Sequence, residues 1–153
     1  MIKARVLMEF LPTICIENDT PTTIYTLHKQ FFSYAKKTKL PIEFYKDQVV
    51  AGFFFKKQTE PCMIMGHPDQ KLRYLKFCIR VKCLGTKTFI YVSSYGTSVQ
   101  MLKAAKAAEK RKKGKLFRAM IESFGQNRFD FENEQMYYEC IRQMCGTLMS
   151  KRS

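Results

Sequence analysis

Hydrophobic residues recur every three to four positions from Ile24 to Pro41, alternate with polar ones from Ile42 to Tyr95, and return to helical spacing after Gly96. Alternation sends successive side chains to opposite faces of a strand, so the middle of the chain is built for a sheet with one buried face. The expected strands are Ile42–Lys46 and Val49–Phe55 around a turn at Asp47-Gln48, then Cys62–Met65, ending at Gly66-His67-Pro68. Tyr74–Leu84 and Thr86–Ser94 follow, joined tightly around Gly85. Polar and glycine breaks this short favour hairpins, hence an antiparallel meander.

The flanks complete the pattern. Ile2, Ala4, Val6, Met8 and Phe10 alternate with Lys3, Arg5 and Glu9, which predicts a strand over 2–10. Thr20 can cap a helix whose first residue is Pro21, and Ile24, Leu27, Phe31 and Ala35 give it an apolar stripe. Lys36, Lys37 and Lys39 suit its C-terminus, and Pro41 closes it. Thr97 and Gln100 match a capping box. The helix they open loses its apolar stripe through Glu109–Gly114 and regains it at Leu116, so it is either one long helix or two flanking a basic linker. Gly125 is placed to end that helix, and Asp130 to begin another with an apolar stripe over Met136, Tyr137, Cys140, Ile141, Met144 and Leu148.

The expected fold is α+β: a single antiparallel β-meander of five to six strands, helices packed on one face, in the order β-α-β-β-β-β-β-α-α. It forms a single domain over residues 1–153, with a basic, flexible segment at 103–115 and a C-terminal helical hairpin. With 46% hydrophobic residues and 21 Phe or Tyr, the chain can bury a core without disulfides or metal.

Several chemistries find no support. No apolar run reaches the roughly 18–20 residues of a membrane span. Lys3 and Arg5 before Val6-Leu7-Met8 imitate a signal sequence, but Glu9 and Pro12 interrupt it. Cys15, Cys62, Cys78, Cys83, Cys140 and Cys145 are read as reduced thiols, mostly small core residues, in a cytoplasmic protein. Cys78/Cys83 point to opposite faces of a strand, and Cys140/Cys145 stand about 140° apart on a helix, so neither pair chelates. No metal or cofactor is implied. His28 and His67 are the only imidazoles, and no nucleophile elbow, phosphate loop or dinucleotide fingerprint accompanies them, so no enzyme activity or small-molecule substrate is expected. His67-Pro68-Asp69 resembles the tripeptide of J-domain cochaperones. It follows a predicted strand here, without that family's helices, and reads as a turn in which Pro68 and Asp69 start a short helix.

Charge is more informative. The formal net charge is +14, and residues 97–118 hold eight Lys or Arg against one Glu. Residues 74–95 add four cations and no acid, whereas 119–153 hold four basic and five acidic residues. Lys76, Arg80 and Lys82 must share one strand face, opposite Phe77, Ile79 and Val81. Phe89, Tyr91 and Tyr95 share a face of the neighbouring strand, and a register that set them beside the cations would join phosphate-pairing groups to stacking platforms. The expected nucleic-acid-binding residues are therefore Lys76, Arg80, Lys82 and Tyr91, with Lys103, Lys106, Lys110, Arg111, Lys112, Lys113 and Lys115 from the basic segment. The alternative is a protein-interaction domain, its basic segment docked on an acidic protein and its C-terminal helices supplying an apolar contact.

Overall fold

A computed structural model describes residues 1–17, 20–112 and 116–150. The chain enters its sheet three times before the first helix, as β1 (Ile2–Lys3), β2 (Met8–Glu9) and β3 (Ile14–Glu17). Then come α1 (Ile24–Thr38), β4 (Glu43–Ala51), β5 (Gln58–Gly66), β6 (Lys76–Leu84), β7 (Lys87–Tyr95), α2 (Val99–Lys112) and α3 (Leu116–Ser150). β4 to β7 form the predicted antiparallel meander. The sheet as a whole is mixed, because β1 pairs parallel with β4.

The N-terminal segment explains the departure. The sheet order is β1-β4-β5-β6-β7-β2, so β1 and β2 lie on opposite edges, five spacings or roughly 24 Å apart in a flat sheet. The chain between Lys3 and Met8 extends at most about 18 Å, and Ala4–Val6 shorten it by forming a 3-10 turn. The sheet must therefore curl until its edges approach. Alternation over 2–10 was legible, but the exchange of one partner strand for another was not. Beyond β2, the Phe10 and Leu11 N–H groups both donate to the Val92 carbonyl, at 3.0 and 3.3 Å. Two residues opposite one mark a β-bulge, which bends the chain before β3 continues along β7.

Curling separates two cores. Ile2, Val49, Cys62, Ile64 and Cys78 fill the inner face, joined by Ala4, Leu7 and Tyr95. Met63, Met65, Phe77, Ile79, Ile90 and Val92 form the opposite face, where α1 contributes Leu27, Phe31 and Ala35, and α3 contributes Tyr137, Ile141, Met144 and Met149. Both helices thus lie on one face, as their stripes imply. Tyr138 accepts the Leu75 N–H at 2.8 Å and donates to the buried Glu134 carboxylate, while Tyr137 donates to the Pro41 carbonyl at 2.9 Å. Burial pushes both phenols above their ordinary range, so they remain proton donors.

Four boundaries differ from expectation. Helix α1 starts at Ile24 because Thr23 and Thr26 form the capping box, the Thr23 hydroxyl accepting the Thr26 N–H at 3.2 Å. Asp47-Gln48 makes no turn: the residues pair with Cys62 and Pro61 inside β4, and Asp47 accepts the Gln48 N–H at 2.7 Å. The reversal falls at Gly52, whose φ of 100° suits glycine and whose added Cβ would lie 2.0 Å from the Lys56 carbonyl oxygen. Finally, α3 runs unbroken through Gly125 and Asp130, so the C-terminal hairpin is α2 against α3, and its connection at 113–115 lies outside the described residues. One glycine costs a helix about 1 kcal/mol, too little to end one whose C-terminal half is anchored in the core. The cap of α2 is Ser98, which accepts the Met101 N–H at 3.0 Å, in place of Thr97.

Candidate nucleic-acid interface

The β6–β7 register sets Lys76 opposite Tyr95, Arg80 opposite Tyr91 and Lys82 opposite Phe89. Cations and rings therefore share the inner face, with the helices on the other side. The Arg80 guanidinium stands 5.0 Å from the centre of the Tyr91 ring, and Lys82 Nζ 5.7 Å from it. Lys76 Nζ lies 5.8 Å from the Tyr45 ring. These distances fall within cation–π range.

The row is interrupted and partly neutralised. Cys78, between Lys76 and Arg80, is fully buried in the inner core with Ile2. Glu60 on β5 then takes both remaining cations: Arg80 Nη1 at 3.1 Å and Lys82 Nζ at 2.6 Å. The Lys82 hydrogen bond, followed by that from Arg80, holds the Glu60 carboxyl below its ordinary range against the opposing effect of burial. Glu9 lines a cavity of about 260 Å³ together with Arg80 and Tyr91.

The geometry gives Glu60 a structural role. β5 pairs with β6 only over Met63–Met65, whereas β4 and β5 stay paired out to Ala51 and Gln58. The outer parts of the two hairpins therefore part company, and Pro61, which has no N–H to give, lies where the β5–β6 ladder has ended. Glu60, Arg80 and Lys82 bridge this gap. Beneath the start of α1 the gap widens into a cleft of about 490 Å³ whose lining includes His28, Tyr45, Pro61, Cys62, Val81 and Cys83. His28 packs against Phe32 and Phe44, and His67 against Tyr74 and Tyr137. Pro68 and Asp69 do lead into a 3-10 turn, Gln70–Leu72, capped by Asp69.

The basic segment behaves differently. Lys103 and Lys106 lie on α2 with exposed side chains, three residues apart and hence on one helix face. Lys110, Arg111 and Lys112 fall on the last turns of α2, but their side chains lie outside the described residues, as do Lys113 and Lys115 altogether. Helix α2 leaves the sheet after Tyr95, at the end of the meander away from the Gly52 and Gly85 turns.

Sequence reasoning missed two features. Glu60 was invisible because its partners depend on register across a third strand. The other is the β4–β5 turn, which was absorbed into a strand: Phe53, Phe54 and Phe55 are 84%, 88% and 100% exposed there, with Lys56 and Lys57 following.

Among the described residues no three His, Cys, Asp or Glu side chains are placed to hold a metal ion, and no helix is long and apolar enough to cross a membrane. Cys62, Cys78 and Cys145 are buried and Cys15, Cys83 and Cys140 exposed, so the core role falls to half of them. Burial raises the Cys62 thiol and pushes those of Cys78 and Cys145 up to about 12. Comparison with family models, curated proteins and solved structures finds no match to this chain.

Proposed function

We propose that this protein is a non-catalytic basic domain that binds nucleic acid through the phosphate backbone, with α2 as the main contact. One observation carries the reading: the cations from Lys103 to Lys112 fall on helix α2, whose described Lys side chains, Lys103 and Lys106, are exposed and lie outside both hydrophobic cores. Cations repeated along one helix face meet phosphates without reading bases, so affinity is weakly sequence-dependent and strongly salt-dependent. The sheet row plays the lesser part. Arg80 and Lys82 already hold Glu60, and a phosphate gains only what it wins in exchange.

The acidic-protein alternative draws on fewer α3 residues than the apolar stripe suggests: Tyr137, Ile141, Met144 and Met149 are buried in the core, and Phe129, Phe131 and Met136 stay exposed.

The test is a salt titration of oligonucleotide binding. On duplex DNA, log K should fall linearly with log salt, by about 0.9 per neutralised phosphate. Reversing Lys103, Lys106, Lys110, Arg111 and Lys112 to Glu should flatten that line for every sequence tried. Negligible binding of the wild type at low salt, or an unchanged slope in the variant, would end the proposal. A pull-down with and without nuclease separates the alternative, since an acidic protein partner survives nuclease.

A further inference from the structure

The turn between β4 and β5 displays three adjacent phenylalanines, and nothing in the described structure covers them. Exposed apolar side chains are ordinary when scattered, but three in a row at the end of a projecting hairpin form a patch, and patches mark contact sites. This one is built. Gly52 takes a φ of 100° that a side chain would not permit, the Lys56 N–H closes the turn on the Phe53 carbonyl at 2.8 Å, and Phe54 is held at a φ of 28° that non-glycine residues avoid. The β5–β6 ladder covers only Met63–Met65 and β1 borders β4 only as far as Val50, so no strand runs beside the turn itself.

The surrounding charge indicates the occupant. Lys56 and Lys57 follow the rings, Lys3 pairs beside the turn at Val50, and Arg5 is exposed in the next turn of chain. Residues 48–59 contain no acid. The acids that border them are engaged, Asp47 with the N-terminal amine at 3.1 Å and Glu60 with Arg80 and Lys82. A convex aromatic tip above a collar of cations matches an anionic bilayer, whose acyl boundary accepts the rings while its headgroups meet the cations. A base-stacking platform, by contrast, needs rings laid along a groove.

We propose that the Phe53-Phe54-Phe55 turn, with Lys56 and Lys57, inserts into the surface of anionic lipid membranes. The inference is independent of the nucleic-acid reading, because the two involve different residues at opposite ends of the meander. Each cation near an anionic leaflet contributes about 1 kcal/mol, or roughly fivefold in partitioning. Neither class of group anchors alone.

Sedimentation with vesicles tests it, comparing phosphatidylcholine alone with phosphatidylcholine containing 30% phosphatidylserine (about 3 in 10 lipids, a composition chosen for a strongly anionic surface). The wild type should bind the anionic vesicles and largely ignore the neutral ones. Lys56→Glu/Lys57→Glu should reduce binding by at least about 25-fold, two cations at roughly fivefold each. Phe54→Gly removes a ring while relieving the backbone, so it should weaken binding without lowering the melting temperature, a separation no structural role would produce. The chain contains no Trp, so Phe55→Trp introduces a single Trp, excited apart from the tyrosines, whose emission should shift to the blue with anionic vesicles. Equal binding of wild type and the Lys56/Lys57 variant, or no blue shift at saturating lipid, would overturn the proposal. A blue shift produced by an oligonucleotide or a protein but not by anionic vesicles would overturn it too, giving the turn to that partner.

Discussion

The inner sheet face and the β4–β5 turn are made from the same ingredients, aromatic rings beside lysines and arginines, yet the fold treats them oppositely. On the sheet, Arg80 and Lys82 share Glu60 and stand over Tyr91, so about half of their charge is neutralised within the protein. At the turn, Phe53, Phe54 and Phe55 touch mainly solvent, and no acid lies among residues 48–59. Composition cannot separate a structural cluster from an available one. The pairing of strands does, by deciding which groups meet a partner.

The sharpest way to break this comparison is to remove a ring from each kind of place. Phe77 is fully buried beside Phe10 and Tyr138, and Phe77→Ala should cost about 3–5 kcal/mol in urea denaturation. Phe55→Ala should stay within about 0.5 kcal/mol of wild type. A large loss at Phe55 would mean that the turn is structural after all.

The two hairpin turns offer a second contrast. Gly52→Ala meets both a forbidden φ and a backbone oxygen at 2.0 Å, whereas Gly85, at a φ of 62°, has nothing within 4 Å of the new Cβ. Gly52→Ala should cost about 2–3 kcal/mol and Gly85→Ala about 1 kcal/mol, read from melting curves. Equal costs would show that the β4–β5 turn adapts freely.

The smallest effect belongs to Glu60. Its carboxyl is held below the ordinary value of 4.5, so its contribution is complete above that value and is lost as pH falls through the lower folded value. Half-exposed pairs of this kind are worth about 0.2–1 kcal/mol. Protection factors, corrected for the intrinsic pH dependence of exchange, should therefore fall in residues 58–60, 62 and 80–84 only in acid below the ordinary carboxylate range, and Glu60→Gln should show that lower protection at neutral pH. A pH-independent profile in the wild type would remove the bridge from the account.

Much of the fold was legible where side-chain period and local chemistry agreed. The alternation of Lys76–Leu84 and Lys87–Tyr95 and the stripe of Leu27, Phe31 and Ala35 each reported a buried face directly. What failed depended on distant partners. Asp47-Gln48 is turn-like in isolation but is held extended by nine consecutive pairings with β5, and Gly125 lies in a helix anchored by Tyr137 and Ile141. The same division holds for the candidate site: the common face of Lys76, Arg80 and Lys82 follows from parity alone, while the partial neutralisation of Arg80 and Lys82 by Glu60 needed the register. Phe53-Phe54-Phe55 was present in the sequence but was read as strand, because a run of rings favours burial unless the turn is known.

On this reading the cations of α2, exposed and outside both cores, contribute more to phosphate binding than the row on the sheet. Fluorescence anisotropy with labelled duplex and single-stranded oligonucleotides tests it directly on two variants, Lys103→Glu/Lys106→Glu and Lys76→Glu/Lys82→Glu. Each removes four units from a net charge of +14, so long-range attraction changes equally and any difference reports location. The α2 variant should bind both oligonucleotides about tenfold or more weakly and lower the duplex salt slope by about 2, while the sheet variant changes affinity less than about threefold. A greater loss in the sheet variant, or none in the α2 variant, would contradict the claim.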